Sequence, residues 1–195
     1  MNTPMQTNSE DNLRKQMDNK EFLMDLLMQN DTVSEIRKNI GQLLSVIPEL
    51  ESMIGFEHCH PHHHLNVWEH TMLALSFSEN QFPTRLALLL HDIGKPHCYS
   101  QDGEFRHYHG HAEKSAVIAQ EILERLGFAK DVTETVTAIV RRHDTPLTQD
   151  DIVSSPKFAR EIFEVQRCDA MAHNPVYNQK RLTYIAQTKQ IIDAL

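Results

Sequence analysis

Apolar residues recur along most of this chain at helical spacing, and no segment shows the apolar–polar alternation of a half-buried strand, which restricts the fold to packed helices. "EFLMDLLMQN" sets Phe22, Leu23, Leu26 and Leu27 on one stripe, and "DTVSEIRKNIGQLLSVIPEL" reads as a second helix opened by Asp31 or Thr32 as N-cap. Pro48, Gly55 and Pro61 punctuate the stretch before "LNVWEHTMLALSFSEN", where Val67, Leu73, Ala74 and Phe77 keep a helical period. Pro83 then starts a short helix, apolar through Leu90 and stopped by Gly94 and Pro96. "DGEFRHYHGH" reads as a loop, followed by two amphipathic helices, "AEKSAVIAQEILERLG" and "KDVTETVTAIVRRHD". "SPKFAREIFEVQRCDAMAH" and "YNQKRLTYIAQTKQIIDAL" complete an expected all-α fold, a compact multi-helix bundle.

A chain of 195 residues suffices for one well-packed domain and is short for two. The expected organisation is a polar, flexible segment over 1–19 and one domain over 20–195. No apolar stretch approaches the roughly 20 residues that cross a bilayer, and "MNTPMQTNSEDNLRKQMDNK" has no apolar core of a secretory signal. The expectation is a cytoplasmic protein with no membrane partner. Cys59, Cys98 and Cys168 form no CxxC pair, which points to small free thiols. A formal net charge of −8 argues against an extended nucleic-acid partner, which is held mainly by Lys and Arg, and favours a small ligand.

The compositional anomaly is histidine: 13 of them, most between His58 and His109. His91 and Asp92 end a buried helix, and adjacent helical residues point about 100° apart, so two neighbours can grip one ion from two sides. His70, His143 and Asp169 fall on other helices, and bundles gather metal ligands from inward positions on several helices.

"VWEHT", "ALLLHDIGKP", "FRHYHGHAEKSA", "AIVRRHD" and "RCDA" together resemble the HD-domain metal-dependent phosphohydrolases over roughly Ile47 to Ala170. The nearest likeness is to the HD domain of bacterial CCA-adding tRNA nucleotidyltransferases, which have similar "HHLNVWEHT" and "GHAEKSA" stretches. The glycine-serine turn and paired aspartates of their nucleotidyltransferase head do not occur here, so tRNA synthesis is not predicted. The resemblance implies metal ligation by His70, His91, Asp92 and Asp169, with His111 and His143 completing a second site in members that bind two ions. His63 matches the histidine before "VWEHT", and Asn66 stands where the family commonly has aspartate.

A nitrogen-rich set with carboxylates suits one or two divalent transition ions, Fe, Mn, Co, Ni or Zn, better than an all-oxygen cage, with Mg2+ left open. Such an ion lowers the pKa of bound water and polarises phosphoryl oxygens. The implied function is hydrolysis of a phosphomonoester or phosphodiester of a small phosphorylated substrate, a nucleotide or cyclic nucleotide. The alternatives are a metal-stabilised nucleotide-binding or regulatory module and an oxygen-using di-iron member. Asp92 is the candidate bridge between metal and water, and Lys95 the candidate phosphate contact. His111 is a second-metal ligand or the proton donor to the leaving group. His63 and His109 are candidate substrate contacts.

Plainer roles compete with these. His143 equally fits a helix C-terminus, where a cation is favourable, and Lys95 and His109 fit solvated side chains. The cluster "EHCHPHHH" lacks helical spacing to fix its geometry, so His58, His60, His62 and His64 are expected to be exposed, with only His63 near the pocket.

Overall fold

The computed structural model describes residues 4–194, with side chains from residue 10. Its helices are α1 (Pro4–Leu27), α2 (Thr32–Lys38), α3 (Ile40–Val46), α4 (Val67–Ser76), α5 (Phe82–Leu90), α6 (His111–Arg125), α7 (Lys130–Arg142), α8 (Gln149–Ser154), α9 (Pro156–Ala172) and α10 (Gln179–Asp193). Short 3-10 turns occupy Pro48–Met53 and Lys95–His97. Among the described residues the bundle is all-α apart from one small ribbon.

Helix α5 is the axis of the bundle. Every residue from Thr84 to Leu90 is buried, and a helix apolar on all sides belongs in the middle of a fold. Helices α1, α4, α6, α7 and α9 pack round it, α9 also contacting α4, α8 and α10. Trp68 and the leucine run are core. No described helix is long and apolar enough to cross a membrane.

Local chemistry sets the helix ends. Asp31 accepts from Ser34 N to open α2, as the spacing predicts. Asn66 caps α4 by accepting from Glu69 N at 2.9 Å, which gives the asparagine a structural role at the start of the helix bearing His70. Helix α5 ends at His91, so the His91–Asp92 pair stands where the backbone leaves the core.

Three expectations are corrected. Residues 4–19 are not an irregular lead-in but the first two thirds of α1, because no glycine or proline interrupts the chain between Pro4 and Leu27. Its mean hydropathy is low, so apolar periodicity does not reveal it; Gln16 Nε2 donates to Arg125 O at 2.8 Å and lays it on the α6–α7 turn. The second predicted helix breaks at Asn39 into α2 and α3, with the Pro48–Met53 turn beyond. The predicted loop before His111 contains an antiparallel ribbon, β1 (Ser100–Asp102) and β2 (Phe105–His107), turned at Gly103 with φ +58°. Three-residue strands are too short for alternation to register.

Candidate metal centre

Each predicted ligand reaches the centre from a different place in the fold. His70 stands mid-α4, His91 and Asp92 at the end of α5, His111 at the start of α6, His143 at the end of α7, and Asp169 on α9. Their donor atoms fall into two groups, His70–His91–Asp169 and Asp92–His111–His143, each gathered within 4.8 Å.

Asp92 joins the two. Its Oδ2 lies 3.3 Å from His91 Nε2 and 3.7 Å from His70 Nε2, while Oδ1 lies 3.5 Å from His111 Nε2 and 3.7 Å from His143 Nε2. Asp169 Oδ1 adds 2.9 Å to His70 Nε2 and 3.7 Å to His91 Nε2. One carboxylate thus presents an oxygen to each group.

The imidazoles are oriented by the backbone. His91 Nδ1 lies 2.7 Å from Leu88 O, His143 Nδ1 2.7 Å from Val140 O, and His111 Nδ1 2.9 Å from Tyr108 O, each three residues back. A carbonyl only accepts, so each Nδ1 carries the hydrogen and a neutral ring turns its Nε2 lone pair inward. The Nε2 atoms of His111 and His143 then face each other at 3.1 Å, two lone pairs that repel unless a proton or cation lies between them. Among the described residues, His91 Nε2 and Asp92 Oδ1 are buried with no hydrogen-bond partner. Orphaned donors, facing lone pairs and two buried carboxylates fit a divalent cation.

Titration follows the same electrostatics. Burial pushes the Asp92 carboxyl up, yet His91 and Lys95 outweigh it and hold the group well below the usual carboxylate range. Asp169 is likewise held down against burial, by His173 and Arg181. Burial alone would lower His91, but Asp92 and Asp169 raise it to about 10, so a proton there balances the buried anions. Burial lowers His111 and takes His143 to about 3, leaving both neutral at pH 7.

The centre forms the floor of a pocket of about 740 Å³, a size that suits a small molecule. Asp92, His111, His143 and Asp169 line it. His70 and His91 are fully buried and do not line it, so Asp169 is the member of their group that meets the pocket.

Lys95 lines the pocket but is buried and held, with Nζ 2.7 Å from Asp92 Oδ2 and 3.1 Å from His58 Nε2. His63 stacks on His58 at 3.7 Å between centroids and lies 4.9 Å from the His70 ring, on the pocket wall. His109 is exposed at the rim, stacked on His107 at 5.9 Å. Within "EHCHPHHH", His62 and His64 are exposed as expected and His60 is half-buried, but His58 is fully buried. Its Nδ1 lies 2.8 Å from Leu65 O, and burial followed by the Lys95 charge lowers it to about 2, so neutral Nε2 accepts from Lys95. A loop histidine has no periodicity that announces burial.

Two further residues lie outside the predicted set. His173, one turn beyond Asp169, places Nδ1 2.8 Å from Asp169 O; its i,i+4 spacing from a candidate ligand was a readable signal. Arg181 of α10 sets Nη2 2.9 Å from Asp169 Oδ2 and 2.8 Å from Asp144 Oδ1, with Nη1 3.3 Å from His173 Nε2. Nothing in the spacing of α10 marks that arginine.

The HD domain model matches residues 62–194, beginning later and ending later than the motifs alone delimit. The chain is 40% identical over 134 residues to a CC-adding tRNA nucleotidyltransferase of Thermus thermophilus, covering 64% of this chain and 30% of that protein. It is 34% identical over 119 residues to an A-adding tRNA nucleotidyltransferase of Deinococcus radiodurans, covering 57% and 27%. A multifunctional CCA protein of an Azoarcus species is 26% identical over 140 residues, covering 70% and 32%. The chain thus spans about a third or less of the length of these relatives. With six His and Asp side chains converging in two groups and the domain model covering most of the sequence, the chain belongs to the HD-domain family.

Proposed function

We propose that the protein is a metal-dependent phosphohydrolase acting on a small phosphorylated compound, a nucleotide or cyclic nucleotide. The observation that carries this reading is the division of the Asp92 carboxylate between two ligand groups on the floor of an open pocket. His70, His91, Asp92 and Asp169 would hold one divalent ion, and Asp92, His111 and His143 a second. Ions held there supply Lewis acidity and acidify water at neutral pH. The relatives are named for nucleotide chemistry on tRNA, which favours a nucleotide-type ester, and the net charge of −8 favours a small one.

The chain's own residues do the remaining work. Lys95 and His58 fix Asp92 at its Oδ2. His111 turns Nε2 toward His143 and Asp92, which favours the ligand role over proton donation. The one Lys95 hydrogen not used by Asp92 or His58 is left for a phosphoryl oxygen.

Metal analysis of the purified protein, followed by assays of phosphomonoesters, nucleoside monophosphates and 2′,3′-cyclic nucleotides beside Asp92→Ala, tests the proposal. Turnover that needs a divalent ion and disappears in Asp92→Ala is expected. Absence of turnover with Fe, Mn, Co, Ni, Zn or Mg would reject the hydrolase and leave a metal-stabilised binding module.

A further inference from the structure

We propose that Arg181, with Lys180 beside it in the first turn of α10, forms an anion subsite on the pocket wall that takes phosphoryl oxygens of a bound phosphate ester. The inference rests on reading the pocket as a phosphate-ester site, but not on turnover.

Helices favour acidic residues in the first turn and basic ones in the last, because the amino end carries partial positive charge. Helix α10 does the reverse: its first turn contains Lys180 and Arg181 and no acid. The arrangement concentrates positive potential where α10 meets the pocket, which Asn178, Lys180 and Arg181 all line. Asn178 leaves the helix end open, since its side chain makes no capping bond and donates instead to Ala170 O.

The guanidinium is pinned. Asp144 and Asp169 hold Nη2, and His173 lies against Nη1, so among the described residues the contacts of Arg181 fall on its terminal nitrogens and Nε has no acceptor. Five N–H groups on a plane exceed what these partners occupy, and a fixed guanidinium matches the paired oxygens of phosphate. Its side chain is 31% exposed, against 6% for Lys95. Lys180 is exposed and, among the described residues, has no carboxylate partner. Arg181 also stands one carboxylate away from the ligands, since Asp169 Oδ2 meets it while Oδ1 faces His70. Arg181 lines the same pocket as Asp92, His111 and Asp169.

The competing role is structural: Arg181 would only lock Asp169. Two readouts on the metal-loaded protein separate these roles, metal content and calorimetric binding of inorganic phosphate. At metal concentrations that keep the site loaded, Arg181→Gln is expected to lose phosphate affinity at least tenfold beyond any weakening of the metal through Asp169, and Arg181→Lys, which keeps the charge without the planar fork, to recover part of it. Loss of metal together with phosphate in both variants, or unchanged phosphate affinity in a folded Arg181→Gln, would overturn the subsite. Wild-type protein that binds no phosphate would overturn it too. If phosphate binding depends on Arg181 while no ester is turned over, the subsite stands and the hydrolase reading falls.

Discussion

The Lys95 ammonium lies 2.7 Å from Asp92 Oδ2, one turn along the chain. The lysine that the sequence offers as a phosphate contact is therefore also the counter-ion of the carboxylate shared by both ligand groups. His58 completes the chain of contacts by accepting from the same ammonium at 3.1 Å and stacking on His63.

His58→Ala removes that acceptor and the stacking partner, freeing Lys95 to leave Asp92. Residues that orient metal ligands typically contribute about 10–100-fold to metal affinity, and a weakening in that range is expected by competition with a chelator. The fold should persist, because His58 belongs to a loop. Wild-type metal affinity in His58→Ala would show that Asp92 is oriented without it.

The metal-free protein should be most stable near pH 6.5. His58, His143 and His173 are lowered to about 2, 3 and 4, chiefly by burial. On unfolding they regain a pKa near 6.5, so the stability they contribute is present above that pH and is lost as pH falls. His91 is raised to about 10 by Asp92 and Asp169 against burial. Its contribution is complete below pH 6.5 and is lost as pH rises toward 10. Melting temperature of chelated protein across pH 5–9.5 should therefore peak, with the steeper fall on the acid side. Adding metal should flatten the alkaline side, because the ion replaces the His91 proton. Chelated protein as stable at pH 9 as at pH 6.5 would remove the His91 assignment.

The six converging side chains were legible from two sources: helical stripes and stop signals place His70, His91, Asp92, His143 and Asp169 at helix ends and on inward faces, and the family resemblance adds His111 and the candidate ligand roles. His91 and Asp92 close the leucine run, and His111 opens α6. The supporting residues were not. His58 lies in a loop, and its burial is decided by Tyr108, Lys95 and His63 converging from elsewhere. Arg181 lies on an otherwise ordinary helix and gains meaning only because α10 packs on α9 beside Asp169. Long-range convergence leaves no period in a sequence.

Gly94 is required by space and not by backbone angle, since its φ is −79°. A Cβ there would meet Ser115 N at 2.6 Å, His111 O at 2.7 Å and Ser115 Oγ at 2.8 Å. Two of those atoms are backbone at the start of α6, so Gly94→Ala must push α6, and His111 with it, away from Asp92. Overpacking of this kind costs about 1–3 kcal/mol, or a melting shift of roughly 2–4 °C per kcal/mol for a chain of this size. Because His111 moves, metal bound per chain should fall as well. A stable Gly94→Ala with full metal content would show that α6 can give way without disturbing the ligands.

Arg85 provides the opposite case. It is buried at the far end of α5 from His91, and its Nη1 reaches Leu27 O at 2.7 Å, Gln29 O at 2.8 Å and Thr32 Oγ1 at 2.7 Å. Leu27 ends α1 and Gln29 lies in the turn to α2, so one guanidinium ties the first helix to the central one. Arg85→Met keeps much of the apolar stem but removes the charged donor, leaving Leu27 O and Gln29 O only the Thr32 hydroxyl. Hydrogen bonds to a charged group contribute about 1.5–3 kcal/mol, and a destabilisation of that size should appear in denaturant unfolding. The hydrogen bonds of Arg85 go to Ser78, Leu27, Gln29, Thr32 and Asn80 and to none of the six candidate ligands, so metal content should match wild type, separating loss of fold stability from loss of the site. A drop in metal per folded chain in Arg85→Met would mean that α5 transmits the position of α1 to His91 and Asp92.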